Sequence, residues 1–123
     1  MDLKSLEQAI RAAWGKDTWY PPAVDLWTPE KPELGQCTVT ALVVQDYFGG
    51  ELLYCKKFNH YWNRLSDGTE VDLTRAQFPE GTSIVVDEVR QREDVLNGES
   101  ATRKMTAQRY QLLNQRVEQN LRG

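Results

Sequence analysis

Three side chains in this sequence carry the chemistry of an acyl-transfer centre: Cys37, His60 and Asp72. A thiol becomes an effective nucleophile when a base takes its proton and a third group holds that base in place. His60 is the only histidine in the chain. In these roles Asp72 accepts from one ring nitrogen, fixing tautomer and orientation, while the other nitrogen faces Cys37. The thiolate would attack a carbonyl carbon. The backbone N–H of Cys37, supplemented by the side-chain amide of Gln36, would receive the oxyanion that develops. The same residues also have plainer uses. A free cysteine often serves as a small buried hydrophobe, and a lone histidine as a packing group.

The elements that must bring these groups together can be read from the pattern around them. A loop holding Pro29 and Pro32 leads into Gly35-Gln36-Cys37, and an apolar run follows until Gly49-Gly50. Thr38, Val39, Thr40, Val43 and Val44 are β-branched and suit a buried strand. The length of the run, and the placement of Val39, Leu42, Val43 and Asp46, favour a helix over 37–48. Cys37 then lies in the first turn, where unpaired N–H groups and the positive dipole end favour thiolate over thiol.

His60 and Asp72 fall on two short runs, 60–65 and 70–74, joined by Ser66-Asp67-Gly68, a hairpin signal. A two-residue turn would put His60 and Asp72 on opposite faces, because side chains alternate along a strand. A three-residue loop with Gly68 left-handed pairs Arg64 with Glu70 and Trp62 with Asp72. That register gathers His60, Trp62, Arg64, Glu70, Asp72 and Thr74 on one face and leaves a more apolar face opposite. The charge pair and the segregation favour it.

Around this centre the chain supplies packing elements. Leu3, Leu6, Ile10, Ala13 and Trp14 share one face of a helix over 3–14, with Asp2 as N-cap and Gly15 as stop. From Gly15 to Leu34 periodicity vanishes, and a long aromatic loop of this kind is often functional. Trp19, Tyr20 and Trp27 either wall a substrate groove beside Cys37, with Trp62 contributing from the hairpin, or staple the loop to the core. A strand is expected over 51–58, with Cys55 as packing. Further expectations are a single helical turn after Arg75, a strand at Ile84-Val85-Val86, and a short helix over 90–96. A long C-terminal helix capped by Ser100 or Thr102 should complete the chain.

Composition removes several function classes. At 123 residues the chain reads as one domain, 1–123, and its net charge of −3 gives no electrostatic basis for nucleic acid or an acidic membrane surface. No apolar run approaches the roughly 18 residues of a membrane span. The charged, helix-like N-terminus is unlike a signal peptide, so both cysteines read as reduced thiols in the cytoplasm. No CxxC or HxxxH spacing supports zinc, and no glycine-rich phosphate loop occurs, so neither metal nor other cofactor is expected.

The runs Gly35-Gln36-Cys37-Thr38-Val39-Thr40-Ala41-Leu42-Val43-Val44-Gln45-Asp46, His60-Tyr61-Trp62-Asn63-Arg64-Leu65 and Val71-Asp72-Leu73-Thr74-Arg75-Ala76-Gln77-Phe78-Pro79 resemble the YunG-like family of small bacterial proteins, as does Arg109-Tyr110-Gln111-Leu112-Leu113. The Gly-Gln-Cys start and the order Cys, His, Asp also resemble the wider transglutaminase and papain-like superfamily. That second resemblance implies an α+β fold in which a cysteine-bearing helix packs on a small antiparallel sheet carrying the histidine and the aspartate. It maps the nucleophile onto Cys37, the base onto His60 and the orienting carboxylate onto Asp72. Thr38 departs from the aromatic residue that usually follows a transglutaminase cysteine, and no glutamine stands several residues before Cys37 as in papain.

The expectation is therefore a cysteine hydrolase or acyltransferase acting on a peptide or other amide through a thioester at Cys37. Peptidase, deamidase and transamidase share that half-reaction. The alternative is a binding or scaffold module that keeps the fold without the chemistry.

Overall fold

The computed structural model describes residues 1–19, 28–33 and 35–122. Helix α1 (Leu3–Ala13) begins where the Asp2 carboxylate accepts from the Ser5 N–H at 2.7 Å, and its Leu6, Ala9, Ile10 and Ala13 are buried. Helix α2 (Cys37–Phe48) is the centre of the molecule, with every residue from Val39 to Val44 buried. On one side Val39, Val43 and Val44 pack with Leu6 and Ile10 of α1 and with Leu113 and Val117. On another, Ala41 and Leu42 meet Leu52 and Val95. This explains why a β-branched run is helical. Burying each large apolar side chain contributes about 1.5–3 kcal/mol, which outweighs helix propensities of a few tenths per residue.

Two buried side-chain hydrogen bonds fix α2 in that slot. The Trp14 indole N–H donates to Thr40 Oγ1 at 2.9 Å, and Asn63 Nδ2 donates to the Ala41 carbonyl at 2.9 Å.

The sheet is built from β1 (Glu51–Cys55), β2 (His60–Arg64), β3 (Glu70–Val71) and β4 (Glu88–Arg90). It is antiparallel throughout, in the order β3-β2-β1-β4. The fold is thus α+β. Leu52, Tyr54, Tyr61 and Asn63 share the face toward α2, while Leu53, Cys55 and Trp62 share the other, where Phe58 and Ile84 cover them. The hairpin adopts the three-residue register, with Arg64 opposite Glu70 and Asn63 opposite Val71. Leu65 N–H donates to Thr69 O at 2.7 Å, and Gly68 takes a φ of +90° that an L side chain resists.

Several elements differ from the expectations. The first strand ends at Cys55, because residues 56–59 form a turn closed by Asn59 N–H to Lys56 O at 3.2 Å. The ladder of β3 stops at Val71, so Trp62 and Asp72 are not paired; Asp72 instead opens a turn that runs into a 3₁₀ turn, Arg75–Gln77. No strand forms over 84–86. Val85 and Val86 are exposed and have no neighbouring strand, and the pairing with β1 falls to Glu88–Arg90. The expected short helix is α3 (Arg92–Asn97). The C-terminal helix is divided into α4 (Glu99–Arg103) and α5 (Thr106–Arg122), with Met105 at φ +55° between them. Arg109 stabilises that break by donating from Nε to the Lys104 carbonyl at 3.0 Å. Among the described residues, no helix is long and apolar enough to cross a membrane.

Candidate active site

Cys37 is the first residue of α2, and no side chain caps that helix end. The first intrahelical bond runs from Thr40 N–H to Gln36 O at 3.0 Å, which leaves the N–H groups ahead of Thr40 outside the helical ladder. Gly35 makes the approach possible. Its φ is +71°, and an added Cβ would lie 2.0 Å from the Trp19 indole nitrogen, so only glycine lets Trp19 cover the backbone just before the thiol. The Cys37 sulfur lies 3.8 Å from Thr38 Oγ1 and 4.0 Å from the Asn59 carbonyl.

His60 opens β2 and is 1% exposed. Its Nε2 lies 2.7 Å from Asp72 Oδ2. Asp72 is held in turn by Thr74, whose backbone N–H and hydroxyl both donate to Oδ1 at 3.3 Å, and Gln77 Nε2 donates to the Thr74 hydroxyl at 3.1 Å. The imidazole is stacked on Trp62 (centroids 5.6 Å apart, 16° between planes) and meets the edge of Phe78 at 4.8 Å. Ring rotation is therefore blocked on three sides. Nδ1, the nitrogen that Asp72 does not occupy, is buried with no hydrogen-bond partner among the described residues.

The charges of the two groups support each other. Burial pulls the imidazole down, but the hydrogen bond to Asp72, together with the neighbouring Cys37, outweighs it and raises His60 from 6.5 to about 9. Burial pushes the Cys37 thiol up, and the contact with His60, the Tyr61 backbone and the Thr38 hydroxyl together bring it below its ordinary value. Each group thus favours the charged form of the other, thiolate with imidazolium.

A cleft of about 640 Å³ opens in front of the thiol, walled by Cys37, Thr38, Trp19, Tyr54, Tyr61 and Arg90, among others. Of the residues singled out in the sequence, Cys37, His60 and Asp72 come together, and Trp19 lines the cleft. Trp62 does not line it. It is buried on the opposite sheet face, donates from its indole N–H to Glu70 Oε1 at 2.8 Å, and serves as a floor for His60. Gln36 is fully buried and away from the cleft, with Nε2 donating to the Gly15 carbonyl at 3.0 Å. The reason is local: Gln36 precedes the helix, and its side chain turns back to tie residue 15 to the α2 entrance. Trp27 and Tyr20 lie outside the described residues.

Asn59, Tyr54 and Arg90 also line the cleft, none of them marked out by the sequence pattern. Asn59 sits at φ +49°, accepts from the Tyr54 hydroxyl at 2.8 Å and presents its carbonyl to the thiol. The signal was an asparagine, a residue that tolerates the left-handed region, directly before the histidine.

A model of the YunG protein family matches residues 2–122. The Uncharacterized protein YunG of Bacillus subtilis (strain 168) is 40% identical over 65 residues, which cover 51% of this chain and 56% of that protein. The match thus spans just over half the length of the curated relative. No solved structure matches the chain. With the family model covering nearly every residue, including Cys37, His60 and Asp72, the chain belongs to the YunG family.

Proposed function

We propose that this protein is a cysteine hydrolase or acyltransferase that acts on an amide, with a papain- or transglutaminase-like arrangement of its catalytic groups. The observation that carries the reading is the His60 ring, clamped against Asp72 through Nε2 and leaving Nδ1 for the Cys37 thiol at the mouth of a cleft. In the first step the Cys37 thiolate, its proton held by the His60 ring, forms a bond from sulfur to the amide carbonyl carbon. The oxyanion is received by N–H groups in the first turn of α2, with Cys37 N–H the nearest in sequence. As the C–N bond breaks, His60 Nδ1 returns its proton to the leaving amine, and a thioester remains on Cys37. Water or an amine then gives a proton to His60 and attacks the thioester; the C–S bond breaks, releasing acid or a new amide and restoring the Cys37 thiolate beside the protonated ring. Asp72 keeps the ring oriented and stabilises its charge throughout.

Alkylation of Cys37 by iodoacetamide across pH tests this reading. The wild-type thiol reacts well below about pH 8, the ordinary thiol range, and His60→Ala loses that reactivity. The same ordinary-thiol profile in both proteins would leave a binding module as the better description.

A further inference from the structure

The cleft beside Cys37 carries a cation with hydrogen-bonding capacity to spare. Arg90 sits on the edge strand β4, opposite Leu52 of β1. Its guanidinium lies over the Tyr54 ring, 4.2 Å from the centroid, and its Nε donates to the Glu88 carboxylate. Among the described residues its two terminal nitrogens make no further hydrogen bond, and its side chain is 35% exposed where it lines the cleft. The shelf beneath it leads to the thiol. The Tyr54 ring contacts the Tyr61 ring at 4.7 Å, the Tyr54 hydroxyl is bonded to Asn59, and the Asn59 carbonyl lies 4.0 Å from the Cys37 sulfur.

We propose that Arg90 is a carboxylate-recognising residue, and that the amide presented to Cys37 carries a free carboxylate within a few bonds of its carbonyl. A guanidinium presents two parallel N–H groups that match the two oxygens of a carboxylate, a geometry lysine lacks. Stacking on Tyr54 holds the fork in place before a ligand arrives, which lowers the entropy lost on binding. The local charge agrees. Arg90 lines the cleft of a chain whose net charge is −3. Arg109 is mostly buried and bonded to the Lys104 and Thr18 carbonyls, so it serves as a post of the wall rather than as the recognition group. The carboxylate is supplied either by the C-terminal end of a peptide or by an acidic side chain.

The proposal rests on Cys37 being the reacting group, and its test separates the two claims. The whole chain is treated with paired bromoacetyl probes, in which the thiolate displaces bromide and forms a thioether. One pair is N-bromoacetyl-leucine and N-bromoacetyl-leucinamide; the other is N-bromoacetyl-aspartic acid α-amide and N-bromoacetyl-asparagine α-amide. The absolute rates report the activation of the thiol, and the ratio within each pair reports recognition of the carboxylate. The wild type labels Cys37 about tenfold faster with the anionic member of one pair, the size expected for one charge-assisted bond. A preference in the leucine pair assigns a terminal carboxylate, and in the aspartate pair an acidic side chain. Arg90→Gln brings the favoured ratio to about one, and Arg90→Lys retains part of it, as expected for a point charge without the fork. Ratios of one in both wild-type pairs, or an unchanged ratio in Arg90→Gln, overturn the proposal.

Discussion

Replacing Asp72 with asparagine keeps the shape of the side chain and removes its charge. Thr74 can still donate to the remaining carbonyl oxygen, so the turn after Val71 is preserved. His60 loses the largest of the contributions that raise its pKa, and burial, which acts the other way, is then opposed mainly by Cys37. The rise from 6.5 to about 9 corresponds to about 3 kcal/mol of preference for the imidazolium in the folded chain. Because the folded value lies above the unfolded one, this stability is present in full below pH 6.5, drains away as pH rises toward 9, and is absent above that. Urea unfolding of the wild type and Asp72→Asn across pH reads it directly. Near pH 6 the variant is less stable by about 2 kcal/mol, or about 1 M in midpoint at a slope of about 2 kcal/mol per molar. The gap closes by about pH 10. A gap that stays constant across this range would mean that Asp72 contributes through turn geometry alone and would refute the ion-pair reasoning.

Two further outcomes follow from the packing. Gly35→Ala sets a methyl group against the Trp19 indole in a backbone conformation unfavourable to alanine; thermal or urea unfolding should show a loss of about 2–4 kcal/mol, with indole fluorescence shifting as Trp19 is displaced. Asn63→Leu removes the buried bond to the Ala41 carbonyl that ties β2 to α2; the expected cost is about 1–3 kcal/mol, and Cys37 alkylation should slow as the helix and His60 lose their register.

Much of this site was legible because its determinants are local. The Asp2 cap, the length of the apolar run from Cys37 to Phe48, and the Asp67-Gly68 turn each fixed an element without reference to the rest of the chain. The hairpin register followed from charge pairing and alternation, and it brought His60 and Asp72 to the same neighbourhood. The way Asp72 arrives there was not legible. It leaves the strand and is gripped by Thr74, an exchange of ladder bonds for a side-chain turn that depends on where β3 ends. The last strand was misplaced because Ile84-Val85-Val86 has the better intrinsic β propensity. The choice of Glu88–Arg90 is made by β1, a partner more than thirty residues away in sequence. The break at Met105 carries no glycine or proline, so helical periodicity runs through it unmarked. The side chains of Trp62 and Gln36 face away from the cleft, which residue type does not reveal: only packing shows which way a side chain points.

The proposed chemistry turns on the protonation of a single ring. His60 is the chain's one histidine, so its imidazole carbon–proton resonances can be followed by NMR through a pH titration without ambiguity. The midpoint is expected at about 9, moving down in Asp72→Asn and also in Cys37→Ala. A midpoint near the ordinary 6.5, unmoved by either substitution, would contradict the imidazolium–thiolate pair on which the proposed chemistry depends.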